Sequence, residues 1–242
     1  MVALFDLDGV GLEIDGHRIL DDVSFTVPDG GITVLLGPSG SGKSTLLRLL
    51  NRLEVPTEGR IELRGEPLAD LDPLALRRRV GMVFQRPVVF PGTARDNLLV
   101  ARPGADDDDL AERLRAVDLD PKVLDRLADD LSGGEAQRLC LARTLATDPE
   151  VLLMDEPTSS LDPEARDHLE RTALGLVEEG MGMVWVTHDL GQAERLGDHQ
   201  VVIVAGRCAT EAEAQRFLAN GHAGGSGEPE GAAGSRDGGR RA

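Results

Sequence analysis

The sequence predicts an α/β fold in which a parallel β-sheet is flanked by helices, and three observations carry that prediction. From about residue 30 onward, short apolar runs alternate with amphipathic stretches, the pattern of successive βαβ units. The run at 32–36 is almost continuously apolar, as expected of a parallel strand buried on both faces. That run ends in a glycine-rich turn, Gly37-Pro38-Ser39-Gly40-Ser41-Gly42-Lys43-Ser44-Thr45, which leads into an apolar-periodic stretch.

Taken in order, the first 28 residues read as short strands and turns, including a strand at 23–27, and are expected to form a small antiparallel flap beside the main sheet. The strand at 32–36 and the turn are followed by a helix over 43–52, with leucines at 46, 47, 49 and 50. Further strands are expected at 61–63, 81–84, 151–154, 183–187 and 200–204. Helices are expected at 107–117, 134–147, 163–178 and 210–219. The run Asp106 to Asp109 reads as a solvated helix start, where acids suit the dipole. No internal repeat is visible. Residues 1–220 read as one domain, and the Gly-rich segment 221–242, whose charges cancel, reads as a disordered tail.

Composition narrows the function. The 242 residues carry a formal net charge of −17, which argues against a broad electrostatic grip on nucleic acid. Aromatic residues make up 2% and tyrosine is absent, so a base-stacking surface for single strands is not expected. Cys140 and Cys208 have no metal-ligand spacing, and two cysteines fit a reducing compartment without a structural disulfide. No apolar run approaches the length of a membrane span, and the first ten residues carry acids where a signal peptide needs basic residues.

The turn at 37–45 satisfies GxxxxGK[ST]. Its glycines let the backbone wrap a phosphate, the helix start offers unpaired N–H donors, Lys43 reaches the β/γ oxygens and Ser44 can ligate Mg²⁺. A glycine-rich turn that merely caps a helix is the bland alternative, but strand and helix flank it in the required order. A nucleoside triphosphate site leaves kinases, GTPases and motor or transport ATPases open. The second acidic element helps to decide. Asp155 and Glu156 emerge at the end of the apolar run 151–154, where ligands sit in a parallel sheet. Asp155 is placed to hold Mg²⁺, and Glu156 to orient and polarise an attacking water, which favours hydrolysis over transfer to a metabolite. Ser132, Gly133 and Gly134 start the helix at 134–147 and form a second anion site without a lysine. Two phosphate-binding elements with one hydrolytic centre are most simply explained by a head-to-tail pair of subunits.

On these motifs the chain resembles the ATP-binding subunit of ABC transporters over about residues 10–206. The resemblance implies a P-loop NTPase with a parallel β-sheet core, an antiparallel flap and a helical signature subdomain at about 86–148. It aligns 37–45 with the Walker A loop, 151–155 with Walker B, Glu156 with the catalytic base and 131–135 with the signature. Gln85 is similar to the Q-loop glutamine that contacts Mg²⁺ and water, and residues 159–162, ending in Asp162, to the D-loop at the dimer seam. His188 is similar to the switch histidine at the γ-phosphate. Implied ligands are ATP and Mg²⁺. Implied partners are membrane permease subunits and a second copy of the chain, with peripheral attachment at the cytoplasmic face of the cell membrane. His168, His199 and His222 carry no assigned role.

The sequence departs from the family where an aromatic ring, most often tyrosine, usually stacks on adenine. Here residues 12–17 read Leu-Glu-Ile-Asp-Gly-His, so Ile14 or His17 is left to cover the base. Residues 80–98 and 137–163 are similar to those of bacterial phosphate importers, while the 184–189 ending also resembles a metal or iron exporter group. The rivals are a soluble ABC ATPase acting on DNA or ribosomes and a nucleotide switch without turnover. The stretch between Lys43 and Leu131 is too short for the long coiled coil of the DNA-repair members.

Overall fold

The computed structural model describes residues 3–223. The antiparallel part is a four-stranded sheet of β1 (Ala3–Ile14), β2 (His17–Pro28), β4 (Glu58–Leu63) and β5 (Glu66–Pro67) in the order β2-β1-β4-β5. The main sheet contains β3 (Ile32–Leu36), β6 (Val80–Val83), β7 (Val151–Asp155), β8 (Gly182–Val186), β9 (His199–Val204) and β10 (Arg207–Cys208), in the order β10-β9-β3-β8-β7-β6. The pairings of β6, β7, β8, β3 and β9 are parallel, and β10 adds antiparallel to β9.

Two sequence expectations are corrected here. The first 28 residues form two long strands instead of several short ones, because Asp8-Gly9 is absorbed as a bulge. Gly9 has φ 60 and the register slips between Leu7 and Val10, so the chain bends without ending the strand. The run at 61–63 joins this antiparallel sheet, Leu63 opposite Phe5, instead of entering a βαβ unit.

Side-chain alternation along the buried strands sorts the core into two clusters, one on each face of the main sheet. Val34, Leu36, Leu152, Met154, Met183 and Trp185 face one cluster. Leu35, Val151, Leu153, Val184 and Val186 face the other, which β1, β2 and β4 close from the far side. Between the two sheets runs α1 (Lys43–Leu50), whose Leu46, Leu47, Leu49 and Leu50 are all fully buried. Their spacing gathers the leucines on one broad apolar face, while Arg48 stays exposed on the other. At about 1.5–3 kcal/mol for each buried leucine, this packing gives the turn before it a rigid seat.

The first cluster is covered by α3 (Ala94–Ala101), α4 (Asp107–Arg115), α5 (Gly133–Leu145), α6 (Pro163–Glu178) and α7 (Leu190–Leu196). The remaining α-helices among the described residues are α2 (Pro73–Arg79), between β5 and β6, and α8 (Glu211–Ala223). The sequence reading omits α2, α3 and α7, each a single pair of turns or so. Of the segment expected as a tail, 221–223 continue α8 and 224–242 lie outside the described residues.

Candidate functional site

Parallel strands in register deliver their ends to one edge. Leu35 of β3 pairs Val186 of β8, Val186 pairs Asp155 of β7, and Met154 of β7 pairs Val83 of β6. The residues that follow these ends are therefore neighbours: the turn 37–45 after β3, Thr187 and His188 after β8, Glu156 after Asp155, and Phe84 and Gln85 after β6.

The turn wraps tightly because glycine permits it. Gly37 has φ 142, and a Cβ there would lie 2.0 Å from the Ile203 carbonyl oxygen. Gly42, at φ 102, caps α1 with no side-chain hydrogen bond, which leaves N–H donors at the helix start for an anion. Lys43 is 5% exposed, and its Nζ donates to the carbonyls of Gly37 and Pro38 at 2.8 Å each. Burial lowers its pKa, and the nearby Glu156 and Asp155 carboxylates oppose that shift.

A cavity of about 320 Å³ opens above the turn, lined by Ile19, Ser39, Gly40, Gly42, Lys43, Ser44, Thr45, Gln85 and Glu156. Gly37, Pro38 and Ser41 complete the loop behind it. Ser41 is buried and its main chain is pinned by the N–H of Gly206 to its carbonyl at 3.1 Å. Ile19 of β2 is a lining residue that the sequence reading misses, since nothing distinguishes it from any other strand position. Ile14 pairs His17 across the tip of the β1–β2 hairpin and is 41% exposed. Neither lines the cavity.

Asp155 is 5% exposed and accepts a hydrogen bond from Ser44 Oγ at 2.7 Å. Burial, reinforced by Glu156, pushes its carboxyl above the usual range, with the Ser44 bond acting against this. A hydroxyl oxygen and a carboxylate in contact, with the Gln85 amide on the same cavity, form an all-oxygen donor set that suits a hard cation such as Mg²⁺. Glu156 adopts φ 43, uncommon for a non-glycine residue and a form of strain found at functional sites. Its N–H donates to the Val186 carbonyl at 3.1 Å. Its Oε2 lies 3.3 Å from both Gln85 Nε2 and His188 Nδ1. Gln85 Nε2 also reaches Ser159 Oγ at 3.4 Å. Glu156, Gln85 and His188 thus form one cluster, fed by three strands.

The remaining sequence-selected residues lie elsewhere. Ser132 caps α5 in a reciprocal box with Glu135, whose carboxylate accepts the Ser132 N–H at 2.8 Å. Gly133 is exposed with open space where a Cβ would stand, and Gly134 packs against Ala165. Asp162 caps α6, accepting from the Ala165 N–H at 2.9 Å, and lines a separate cavity of about 340 Å³ with Arg138 and His168. These four residues share no lining with the phosphate cavity of their own chain.

The segment after Gln85 is held by α5 and α3. Gln137 Nε2 donates to the Phe84 carbonyl at 3.2 Å, and Arg143 to that of Val88 at 2.8 Å. Asn97, fully buried, bonds both the N–H and the carbonyl of Phe90. Cys140 of α5 is buried beside Arg143, and burial pushes its thiol pKa up. Beside this segment a cavity of about 310 Å³ is lined by Arg77, Met82, Phe90, Val100 and Arg143.

A family model described as ABC transporter matches residues 20–159. ABC transporter I family member 17 of Arabidopsis thaliana is 43% identical over 220 residues, covering 84% of this chain and 84% of its own. A phosphate import ATP-binding protein, PstB 3, of Natronomonas pharaonis is 44% identical, over 78% of this chain and 74% of its own. Among solved structures, a bacterial Atm1-family ABC exporter with ATP bound superposes with a TM-score of 0.83 at 30% identity. That match covers 94% of this chain, which spans only 42% of the exporter chain.

Proposed function

The chain belongs to the ABC transporter family as an ATP-hydrolysing subunit, and on that premise we propose that it works as a head-to-tail homodimer which closes on two ATP molecules. The observation that supports this most strongly is the division of the site. The cavity at 37–45 gathers Lys43, Gln85 and Glu156, whereas Ser132, Gly133, Gly134 and Asp162 sit outside it in the same chain. A second copy, turned about a two-fold axis, can lay its Ser132-Gly133-Gly134 turn over this cavity and close both sites at once.

In the closed site the loop N–H groups at 37–45 and the Lys43 ammonium hold the β- and γ-phosphates. Lys43 then exchanges its two carbonyl partners for phosphate oxygens. Ser44, Asp155 and Gln85 are the residues that would hold Mg²⁺, which neutralises charge on the phosphate oxygens. Glu156 Oε2 accepts a hydrogen bond from the attacking water and orients it in line with the γ-phosphate. Gln85 and His188, both 3.3 Å from that oxygen, keep the carboxylate aimed, and His188 reaches the γ-phosphate from the opposite side.

Coupling runs through the segment 86–97. Its backbone hangs from α5, so a shift at Gln85 is passed to the helix that begins at Ser132. The adjoining groove, lined by Phe90 and by Val100, which is about three-fifths exposed, is where a permease segment docks. No described helix is long and apolar enough to cross a membrane. We read the attachment as peripheral, through the permease and on the cytoplasmic face, because the family resemblance implies it. Phosphate import is the transport reading we favour, on the similarity of 80–98 and 137–163 to importer segments and on the relative named above. The residues described form a nucleotide site, and the solute is read from similarity.

The direct test is Glu156→Gln. ATP hydrolysis should fall by about 10²–10⁴, the usual worth of a general base, while sedimentation should show a stable dimer with ATP and a monomer without it. Turnover at the parental rate would remove Glu156 from its role.

A further inference from the structure

Glu156 and His188 sit on loops that leave different strands, and behind both loops lies a buried polar cluster centred on Gln192 of α7. Gln192 is 1% exposed, Trp185 0%, Thr158 5% and Glu170 6%. The Gln192 amide makes three hydrogen bonds. Its Nε2 donates to Thr158 Oγ1 at 2.9 Å and to Glu170 Oε1 at 2.7 Å, and its Oε1 accepts from Trp185 Nε1 at 3.2 Å. The chemistry fixes the amide's orientation. An indole N–H can only donate and an ionised carboxylate can only accept, so the Gln192 oxygen must face Trp185 and its nitrogen Glu170.

The four residues of the cluster belong to the pieces that must be held together. Thr158 lies two residues after Glu156, Trp185 three before His188 at the end of β8, and Gln192 in the first turns of the helix that starts just after His188. Glu170 is on α6, and its charge is balanced by Arg195 of α7 at 3.1–3.3 Å. Burying four polar side chains where apolar ones would pack costs free energy unless every bond is made. What such a network supplies is direction: three bonds from one amide allow one arrangement, which apolar contact does not enforce.

We propose that Gln192 is a positioning residue for ATP hydrolysis, whose side-chain amide locks the Glu156-bearing loop to the His188-bearing loop. The proposal rests on the reading of Glu156 and His188 given above. Loss of the lock lets the carboxylate drift from the line of attack, and a displacement of about 1 Å is worth up to about 10² in rate. Nucleotide affinity is set at 37–45, on another strand end, and does not depend on it.

The test uses the full chain with Gln192→Met, which keeps the volume and removes all three bonds, and Gln192→Glu, which places a second carboxylate beside Glu170 with Arg195 as the nearest cation. In steady-state ATPase assays Gln192→Met should lose about tenfold to hundredfold in kcat, with KM and fluorescent ATP-analogue binding unchanged within about threefold. Trp185 is the chain's one tryptophan, so its emission should shift in the same variant as the indole N–H loses its partner. Gln192→Glu should recover turnover as pH falls, because the two carboxyls share a proton and the donor to Glu170 is restored. In a Glu156→Gln background Gln192→Met should slow the residual rate no further. Unchanged kcat in Gln192→Met, loss of analogue binding in step with turnover, or an undiminished further loss in that background would overturn the proposal. Glu156→Gln alone separates the two claims: parental turnover there defeats the reading of Glu156, whereas lost turnover there with an unaffected Gln192→Met defeats the positioning role alone.

Discussion

Asp155→Asn should make the nucleotide-free protein more stable and inactive. The carboxylate is 5% exposed, sits next to Glu156 in the chain and accepts one hydrogen bond from Ser44 at 2.7 Å. Burying such a charge costs several kcal/mol, of which the charge-assisted bond returns about 1.5–3 kcal/mol. Asparagine removes the charge and keeps a neutral bond from Ser44 worth about 0.5–1.5 kcal/mol, so the net gain is about 2 kcal/mol. For a chain of this size that is roughly 4–8 °C in Tm. The pH dependence has a definite sign. Burial raises the Asp155 pKa in the folded state, so its stabilising contribution is complete below the ordinary carboxylate value of about 3.9 and is lost as pH rises through the folded value. The advantage of the asparagine variant is therefore full at pH 8 and narrows toward pH 4. Calorimetric unfolding with and without Mg·ATP measures both halves of the argument. The parent gains about 2.7 kcal/mol at a hundredfold excess over Kd, and the variant gains less. A variant that is less stable than the parent at pH 8 without nucleotide would refute the picture of Asp155 as a metal seat held at a cost to the fold.

Two further substitutions probe the nucleotide's ends. Ile14→Tyr adds a ring at the hairpin tip, and since stacking on a base is worth about 1–3 kcal/mol, ATP should bind at least about fivefold more tightly in equilibrium titration; unchanged affinity would place the adenine elsewhere. Gly37→Ala forces a Cβ to 2.0 Å from the Ile203 carbonyl oxygen at φ 142, so the loop must move. ATP binding should be lost by calorimetric titration while circular dichroism still reports the sheet, and a variant that binds normally would show that the tight approach of β9 to the loop is unimportant.

The parallel core was readable because buried strands are short and continuously apolar, and because the phosphate loop marks both the end of one strand and the start of a helix. Helix 163–178 matches α6 to the residue, since Asp162-Pro163 gives a capping residue and a proline at the first helical position. What the sequence hid was mostly short or bent. The helices α2 and α7 are seven residues long, α2 burying only Leu76, and their caps, Asp72 and Asp189, are what announce them. Thr93 and Asp96 form a readable capping box for α3, but the segment before it is irregular. A Gly inside a strand reads as a turn until the partner strand shows it to be a bulge, as at Gly9. In the site, the residues that carry charge or a glycine requirement at 37–45, 155 and 156 were legible. Ile19 and Gln192 were not, because an isoleucine on a strand and a glutamine on a helix acquire meaning only from what the fold sets beside them.

The central claim, that each phosphate cavity is completed by the Ser132-Gly133-Gly134 turn of a second copy, is tested most directly by mixing two inactive chains. Lys43→Ala disables the phosphate loop and Gly133→Asp the anion turn, where open space around Gly133 leaves the fold undisturbed. Each alone should hydrolyse ATP at background rate. Mixed in equal amounts, half of the dimers pair one chain of each kind and hold one intact site of two, so about a quarter of the parental ATPase rate should return if the arrangement is head-to-tail. A mixture no faster than its separate components would show that loop and turn act within one chain, and would contradict the account.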